Sequence, residues 1–291
     1  MPIPDITAYL NGHFAPLAKL QVSVMDRGFL FGDGVYEVIP VYDCRPFRLR
    51  EHLARLDKSL AAIGLRNPHT EDEWMRIAES VIVRQSFDDQ SLYLQVTRGP
   101  AWPRNHAFPD PVAPTVFVYS EPLYPPAKAQ VEHGVSAITA EDIRWRRCHI
   151  KTCSLIANVL LKQMAVDAGV AEVVLLRDGL LVEGGSSNVF IVRDGTILAP
   201  PAAEHMLTGI TYDVILELAR RHALALEQRA VTEDELRAAA EVWISSSSKE
   251  ILAVVELDGR PVGNGAPGPI YRLIHDYYQD FKAAEMRPPL P

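Results

Sequence analysis

The sequence predicts a two-domain protein of mixed α+β and α/β character, and three observations lead to this prediction. The chain has 291 residues, which is about the size of two packed domains. Strand-like and helix-like patterns follow one another along its length. A proline-rich stretch without periodicity, "SEPLYPPAKAQ", divides it. We therefore expect an N-terminal α+β domain at 1–120, a linker at 121–128 and a C-terminal domain at 129–291.

The composition indicates a globular protein that acts on a small molecule. Hydrophobic residues make up 48% and charged residues 23%, and no apolar run approaches the roughly 18 residues of a membrane span. The net charge of -8, without a basic block, argues against nucleic acid as a partner. The three cysteines form no CxxC pair and the histidines show no ligand spacing. We expect a cytoplasmic protein without a metal site.

Local signals define the N-terminal domain. Asn11-Gly12 between apolar stretches predicts a hairpin, and "GVYEVIPVYDCRPFRL" contains two strand-like runs around a turn. Leucines at spacings of four and three in "LREHLARLDKSLAAIG" predict a helix with one buried face. A capping box from Thr70 to Glu73 opens a second helix, and the strands "LYLQVTRG" and "PTVFVYS" complete the domain.

The C-terminal domain is expected to combine hairpins with helices. Helices are predicted over "LIANVLLKQMAVDAG", from Thr208-Gly209 onward, and after a capping box from Thr232 to Glu235. A strand is predicted at "VWISSSS". The hairpin turns are expected at Asp178-Gly179, Asp194-Gly195 and Asp258-Gly259. The apolar face of a last helix is expected at Ile270, Leu273, Ile274, Tyr277 and Phe281.

Two of the seven lysines lie where a reactive amine would be useful. Lys151, in "HIKTCS", stands between an extended stretch, "EDIRWRRCHI", and a helical one, and Lys249 follows a strand. A lysine at an apolar junction can have a lowered pKa and act as a nucleophile toward an aldehyde. The alternative for each is a structural lysine in an ion pair.

Further motifs suit a phosphorylated heteroaromatic cofactor. Glu183 closes a strand in "VEGGSSNVF", where it could keep a ring nitrogen protonated or could simply be exposed. The helix start "LTGIT" and the run "SSSS" at 245–248 offer donors for a phosphate, or ordinary helix caps. Together with a candidate nucleophilic lysine, these motifs suggest pyridoxal 5'-phosphate.

A loop with the sequence "TRGPAWPRNHAFPD" holds Arg104 and His106 between prolines. Arginine binds carboxylates through two parallel hydrogen bonds, and a stiff loop would pre-organise it. The alternative is a solvated loop tip.

The order of these motifs resembles that of a known family. "DRGFLFGDGVYEV", "EHLARL", "QVTRG", "PRNH", "EDIRWRRCHIK", "EGGSSNVF", "GIT" and "SSSSKE" are similar to motifs of the fold-type IV pyridoxal-phosphate transaminases, most closely the bacterial D-amino acid transaminases. The resemblance implies a small N-terminal α+β domain and a larger C-terminal domain with a β-barrel-like sheet and flanking helices. It also implies transfer of the amino group of a D-amino acid, of the D-alanine or D-glutamate type, to a 2-oxo acid such as 2-oxoglutarate or pyruvate.

The resemblance also implies roles for single residues. Lys151 matches the Schiff-base lysine and proton shuttle, and Glu183 matches the partner of the pyridine nitrogen. Arg55, which helical spacing alone does not separate from Arg48 and Arg50, matches the arginine that binds the cofactor phosphate. The other implied cofactor contacts are Ser186, Leu207, Ile210, Thr211, Ser246 and Ser247.

The substrate carboxylate is expected to bind Tyr36, Arg104 and His106, with the arginine and histidine delivered by the neighbouring subunit of a homodimer. Two departures from the family pattern are Tyr212, where many relatives have arginine, and "EGGSSN" in place of a serine-rich form. Alternatives on the same fold are a branched-chain L-amino acid transaminase, an (R)-selective amine transaminase and an aminodeoxychorismate lyase. The Arg-x-His loop favours the D-amino acid class over them. A non-catalytic binding protein with a cofactor-like cleft is the hypothesis from another class.

Overall fold

A computed structural model describes residues 4–111 and 113–286, and contacts divide the chain into two compact units. Unit 1 comprises the residues up to Tyr124 together with Ile150–Leu155, and unit 2 comprises Pro125–His149 with the chain from Ile156 onward. The segment that carries Lys151 therefore packs in unit 1, although the sequence analysis assigns it to the C-terminal domain. The predicted boundaries at 120 and 128 stay a prediction.

Unit 1 is built around one antiparallel sheet. Its strands are β1 (Thr7–Leu10), β2 (His13–Pro16), β3 (Gly34–Tyr42), β4 (Arg45–Pro46), β5 (Gln90–Thr97) and β6 (Thr115–Pro122). The sheet has six strands in the order β2-β1-β6-β5-β3-β4. The helices are α1 (Arg27–Phe31), α2 (Leu49–Ala62) and α3 (Glu71–Ile82). The predicted hairpin at Asn11-Gly12 is confirmed, since Leu10 pairs with His13.

The core of unit 1 follows the predicted periodicity. Helix α2 buries its leucine stripe, and α3 begins at the predicted capping box, in which Thr70 and Glu73 cap each other. These faces pack against alternate residues of the central strands, which point to the same side of the sheet. Members of this cluster include Leu53, Leu56, Leu60, Trp74, Val81, Ile82, Ile39, Leu92, Leu94 and Val118.

Unit 2 contains a larger sheet and five helices within the described residues. Its strands are β7 (Val135–Glu141), β8 (Glu172–Arg177), β9 (Leu180–Gly184), β10 (Asn188–Arg193), β11 (Thr196–Ala199), β12 (Leu226–Gln228), β13 (Glu241–Ser246), β14 (Glu250–Leu257) and β15 (Arg260–Pro261). Its helices are α4 (Lys128–His133), α5 (Ile156–Asp167), α6 (Ile210–Arg221), α7 (Glu233–Arg237) and α8 (Pro269–Met286).

The nine strands form a mixed sheet that curls. Its order is β12-β11-β10-β13-β14-β7-β8-β9, with β15 beside β14. Strand β9 contacts β10 although the two lie far apart in this order, so the sheet bends toward a barrel, as expected. The three predicted hairpins are confirmed as β8–β9, β10–β11 and β14–β15. The capping box from Thr232 to Glu235 is also present.

Two parts of the chain differ from the prediction. The stretch expected to be extended up to residue 150 leaves the sheet after Glu141, because Asp142 turns back to bind Arg144 and Arg177. Helix α8 buries Tyr271 and Tyr278 in addition to Ile274 and Phe281, whereas Leu273 is exposed.

Among residues 4–111 and 113–286, no helix is long and apolar enough to cross a membrane.

Candidate active site

Lys151 is held on strand β3 by backbone hydrogen bonds. The Tyr36 amide donates to the Lys151 carbonyl at 3.0 Å, and the Lys151 amide donates to Ser59 Oγ at 3.3 Å. One residue on, Thr152 forms a β-bridge with Val35. The Lys151 Nζ atom lies 4.5 Å from the centre of the Tyr36 ring. The structure therefore brings two predicted site residues together: Lys151 lies next to Tyr36 of strand β3.

Arg55 is paired with a carboxylate that the sequence analysis did not single out. Glu37, on β3, is fully buried and accepts hydrogen bonds from Arg55 Nε at 2.8 Å and Arg55 Nη2 at 2.7 Å. His52 Nδ1 lies 2.8 Å from the same carboxylate. Burial alone would raise the pKa of Glu37, but the charge and hydrogen bonds of Arg55 lower it to about 2. The Arg55 guanidinium is thus fixed in place.

His52 completes this buried group. Burial lowers the pKa of His52 and outweighs the opposing effect of Glu37. A neutral His52 that donates from Nδ1 to Glu37 carries a lone pair on Nε2. This Nε2 atom is buried, and no hydrogen-bond partner for it occurs among the described residues. A polar atom of this kind is expected to face a ligand or an ordered water.

The structure also separates the three arginines near the start of α2. Arg50 is exposed and pairs with Glu71, and Arg48 pairs with Glu51 on the helix surface. Of the three, Arg55 is the one whose partner is a fully buried carboxylate, Glu37.

Arg104 and His106 both pack against the ring of Phe31 in unit 1. The Arg104 guanidinium lies 4.6 Å from the centre of the Phe31 ring, and the His106 ring centre lies 5.2 Å from it. Both residues are exposed, in an irregular segment between β5 and β6. The pair therefore rests on α1, with its polar groups available to a ligand.

In unit 2, Glu183 is buried at the end of β9 beside a second residue that the sequence analysis missed. Arg144 Nη1 donates to Glu183 Oε1 at 2.5 Å, and Arg144 Nε donates to Asp142 at 2.8 Å. Burial raises the pKa of Glu183, although Arg144 opposes this effect. The interpretation of Glu183 as an exposed strand-end residue is wrong, since it is 4% exposed.

Asn188 ties Glu183 to the segment before helix α6. Its Nδ2 atom donates to the Leu207 carbonyl at 2.9 Å and to Glu183 Oε2 at 3.4 Å, and its Oδ1 accepts from the Gly209 amide at 2.9 Å. The Leu207 amide also points at the Glu183 carboxylate, at 3.2 Å from Oε2. Glu183 and Leu207 are therefore neighbours, as the predicted cofactor contacts require.

The N-cap residue of helix α6 is Gly209, which has no side chain that could bind the first amides of the helix. A Cβ atom at Gly209 would lie 2.5 Å from Asn188 Oδ1, so glycine allows the close approach. The first amides of the helix, at Ile210 and Thr211, are suited to an anion because helix N-termini carry partial positive charge. Tyr212 is turned into the core, where its hydroxyl donates to the Pro200 carbonyl at 2.7 Å.

Lys249 forms an ion pair with the buried carboxylate of Glu172. Its Nζ atom lies 2.5 Å from Glu172 Oε2 and 3.1 Å from Ser186 Oγ. The Lys249 amide donates to Ser246 Oγ at 3.1 Å, and Ser187 Oγ donates to Glu172 Oε2 at 2.7 Å. The alternative of a structural lysine therefore applies to Lys249. The ion pair links two predicted cofactor contacts, Ser186 and Ser246.

Two of the three site residues that were not predicted, Glu37 and His52, could have been found from weak signals in the sequence. Glu37 is a charged residue within the apolar strand "VYEVIPV", and a buried charge requires a partner. His52 stands three residues before Arg55, a spacing that places both on one side of a helix. Arg144 carried no comparable signal, because it is one of three arginines in an irregular stretch.

Comparisons with known proteins identify the family of this chain. The family model described as amino-transferase class IV matches residues 34–257. The D-alanine aminotransferase of Bacillus licheniformis is 43% identical over 270 residues, which cover 93% of this chain and 95% of that protein.

Two solved structures share the fold. The branched-chain amino acid aminotransferase of Escherichia coli has a TM-score of 0.90 at 25% identity and covers 98% of this chain and 97% of its own. The branched-chain amino acid aminotransferase of Thermoproteus uzoniensis, solved with norvaline, has a TM-score of 0.86 at 25% identity. The match covers 97% of this chain and 96% of that structure. The expected fold-type IV architecture is confirmed, and the chain belongs to the amino-transferase class IV family.

Proposed function

We propose that this chain is a pyridoxal-phosphate-dependent transaminase that moves the amino group of a D-amino acid, such as D-alanine or D-glutamate, to a 2-oxo acid such as 2-oxoglutarate or pyruvate. The observation that carries the proposal is that sequence identity is higher to a D-alanine aminotransferase than to a branched-chain amino acid aminotransferase. The chain is 43% identical to a D-alanine aminotransferase over almost its whole length, but 25% identical to a branched-chain amino acid aminotransferase of the same fold.

The side chains of each unit fit pyridoxal 5'-phosphate. In unit 1, the fixed cation of Arg55 suits the phosphate. The buried Nε2 lone pair of His52, which has no hydrogen-bond partner among the described residues, can accept a hydrogen bond from a donor group of the cofactor or from an ordered water. In unit 2, the uncapped start of α6 offers the amides of Ile210 and Thr211 to the phosphate. Further hydroxyl donors come from Ser246 and Ser247, and Ser245 Oγ is buried without a partner in the described part of the chain. Ser186 and Leu207 are proposed to pack against the cofactor.

When bound, pyridoxal 5'-phosphate supplies an electron sink that stabilises negative charge on the α-carbon of the amino acid. Lys151 anchors the cofactor through its Nζ atom. Once the substrate amine had taken the place of Lys151, the freed Lys151 amine would remove the α-proton of the amino acid and later deliver a proton to the cofactor carbon. Glu183 holds a proton at the pyridine nitrogen, and its burial strengthens this hydrogen bond because no water competes. Arg144 keeps Glu183 in position.

The substrate carboxylate determines handedness in this proposal. Tyr36, Arg104 and His106 clamp it, and the choice of enantiomer follows from where the clamp lies relative to Lys151. Arginine is suited to this task since its planar guanidinium matches a carboxylate with two hydrogen bonds. A second 2-oxo acid binds by the same clamp and takes the amino group back.

We further propose that the chain forms a homodimer in the cytoplasm, and that Arg104 and His106 serve the neighbouring subunit. Helix α5 presents an apolar face that is exposed in the single chain, and a face of this kind marks an interface. Its exposed members are Ile156, Val159, Leu160, Met164 and Val166. A second copy is the occupant that fits the family resemblance.

Initial rates with each enantiomer test the proposed function. Purified protein supplied with pyridoxal 5'-phosphate is expected to be yellow and to transfer the amino group of D-alanine to 2-oxoglutarate faster than that of L-leucine. Faster turnover of L-leucine would place the chain in the branched-chain class. A yellow protein that turns over neither amino acid, nor an (R)-amine, nor aminodeoxychorismate would be a binding protein.

A further inference from the structure

The loop that carries Arg104 and His106 is held by a buried arginine that the proposed chemistry does not use. We call residues 99–111 the Arg104 loop. Arg27, in helix α1, donates from Nη1 to the Asn105 carbonyl at 2.5 Å and from Nη2 to the His106 carbonyl at 3.1 Å. A longer contact runs from Nη1 to the Ala107 carbonyl at 3.3 Å. One side chain thus binds three consecutive carbonyls.

The guanidinium of Arg27 is itself fixed. Its Nε atom donates to Asp33 Oδ2 at 2.8 Å, and the Arg27 side chain is 5% exposed. Asp33 also accepts from Arg98 Nε at 2.8 Å and from Arg98 Nη2 at 3.1 Å. Arg98 in turn donates to the Ile63 carbonyl at the end of α2, at 2.7 Å. The group is therefore anchored to the core of unit 1.

At its tip, the Arg104 loop also contacts Arg98, whose guanidinium lies 3.7 Å from the centre of the Phe108 ring. Residues 104–108 are exposed, so burial of their own side chains does not fix their positions. The start of the loop is tied down by a bridge between Asp26 and Pro100. Beyond it, the orientation of Arg104 and His106 depends on the backbone that Arg27 holds, together with their contacts to Phe31.

We propose that Arg27 is a positioning residue for substrate binding: by fixing the carbonyls of residues 105–107, it presents Arg104 and His106 to the substrate carboxylate. This inference rests on the proposed function, in which the two side chains form the carboxylate clamp. The chemistry requires arginine in particular. The three nitrogens of its guanidinium donate to the Asp33 carboxylate and to the loop carbonyls at the same time. A lysine would keep the positive charge, but its single nitrogen cannot reach both the carboxylate and the carbonyls.

The test compares Arg27→Lys with wild type by two measurements on the cofactor-loaded protein. Hydrogen exchange, followed by mass spectrometry, reports the order of the Arg104 loop. We expect its amides to exchange about tenfold faster in the variant. The kcat/KM for D-alanine is expected to fall by about 10- to 100-fold, mainly through KM, because the clamp is displaced. The kcat/KM for a primary amine without a carboxylate reports only the half-reaction of the amine, and it should change by less than about threefold.

Arg84→Lys is the matched control. Arg84 is an exposed arginine of unit 1 that also donates to a backbone carbonyl, that of Ser80, at 2.5 Å. The control should change neither measurement. If Arg27→Lys does not fold, as judged by near-UV circular dichroism, Arg27→Gln undergoes the same two measurements.

The outcomes separate this inference from the proposed function. Unchanged exchange in the loop would overturn the positioning role of Arg27, and it would leave the transaminase activity untouched. Faster exchange with an unchanged KM for D-alanine would also overturn it, since the loop would then not bind the carboxylate. Faster exchange together with a raised KM supports both.

Discussion

Glu37 Oε1 and Oε2 accept hydrogen bonds from Nε and Nη2 of Arg55 at 2.8 and 2.7 Å, so a buried carboxylate fixes the cation that is proposed to bind the cofactor phosphate. Such a pair stabilises the folded protein only while the carboxylate is ionised. The pairing therefore has consequences for acid stability and for cofactor affinity.

Glu37→Gln should remove part of the acid sensitivity of folding. The pKa of Glu37 is about 2 when folded, below the usual value of 4.5, so its contribution is complete above about pH 5 and is lost as the pH falls toward 2. That contribution is on the order of 3 kcal/mol. Urea unfolding of both proteins at about pH 7 and about pH 3 measures it. The difference in unfolding free energy should shrink at the lower pH, and an equal difference at both values would contradict the assignment.

Arg55→Ala should weaken cofactor binding more than it alters chemistry. A charge-assisted contact to phosphate contributes about 1.5–3 kcal/mol, which corresponds to a roughly 10- to 150-fold rise in the dissociation constant for pyridoxal 5'-phosphate. Excess cofactor should restore turnover. Arg50→Ala is the control on the same helix, because Arg50 is exposed and pairs with Glu71. Equal affinities in the two variants would exclude Arg55 from the phosphate site.

Local signals in the sequence predict most elements of this fold. The Asn-Gly and Asp-Gly turns, the capping boxes at Thr70 and Thr232 and the leucine stripe of α2 each depend on residues within a few positions of one another. The path of the chain after Glu141, by contrast, does not depend on neighbouring residues alone. It is set by ion pairs of Asp142 with Arg144 and Arg177, and the latter lies 35 residues away along the chain.

The site shows the same limit. The resemblance to a family predicts roles for Arg55, Lys151 and Glu183, but the groups that hold Arg55 and Glu183 come from other elements. Glu37 reaches Arg55 from β3, and Arg144 reaches Glu183 from across 39 residues of chain. Spacing along the sequence carries no record of such pairs, because they form only when the sheet places the elements side by side.

Lys151→Ala should abolish transamination and shift the visible absorption of the bound cofactor. Lys249→Ala is the control: it should keep the absorption band but lose stability, because Glu172 would remain buried without its cation, at a cost of about 3–5 kcal/mol. Visible spectra and thermal unfolding of both variants measure this. A band that is lost in Lys249→Ala and kept in Lys151→Ala would reverse the assignment of the two lysines.

Leu160→Glu should weaken the proposed dimer. Leu160 lies on the exposed apolar face of α5, and a charge at the centre of an interface costs about 2 kcal/mol or more, which corresponds to a roughly 30-fold rise in the dissociation constant. Sedimentation equilibrium measures it. Val83→Glu places the same charge on an exposed apolar residue at the end of α3 and should have no effect. A wild-type monomer, or equal dissociation constants for both variants, would contradict the proposal.

Arg104→Ala tests the basis of handedness. If Arg104 holds the α-carboxylate of the substrate, removing it should lower kcat/KM for D-alanine by about 10- to 150-fold, since a hydrogen bond to a charged group contributes about 1.5–3 kcal/mol. A primary amine has no carboxylate for Arg104 to bind, so its kcat/KM, which reports only the half-reaction of the amine, should change little. Arg84→Ala removes another exposed arginine of unit 1 and is the control. Undiminished turnover of D-alanine in Arg104→Ala would show that the Arg104 loop is a solvated tip, and the carboxylate clamp would then have to be sought elsewhere.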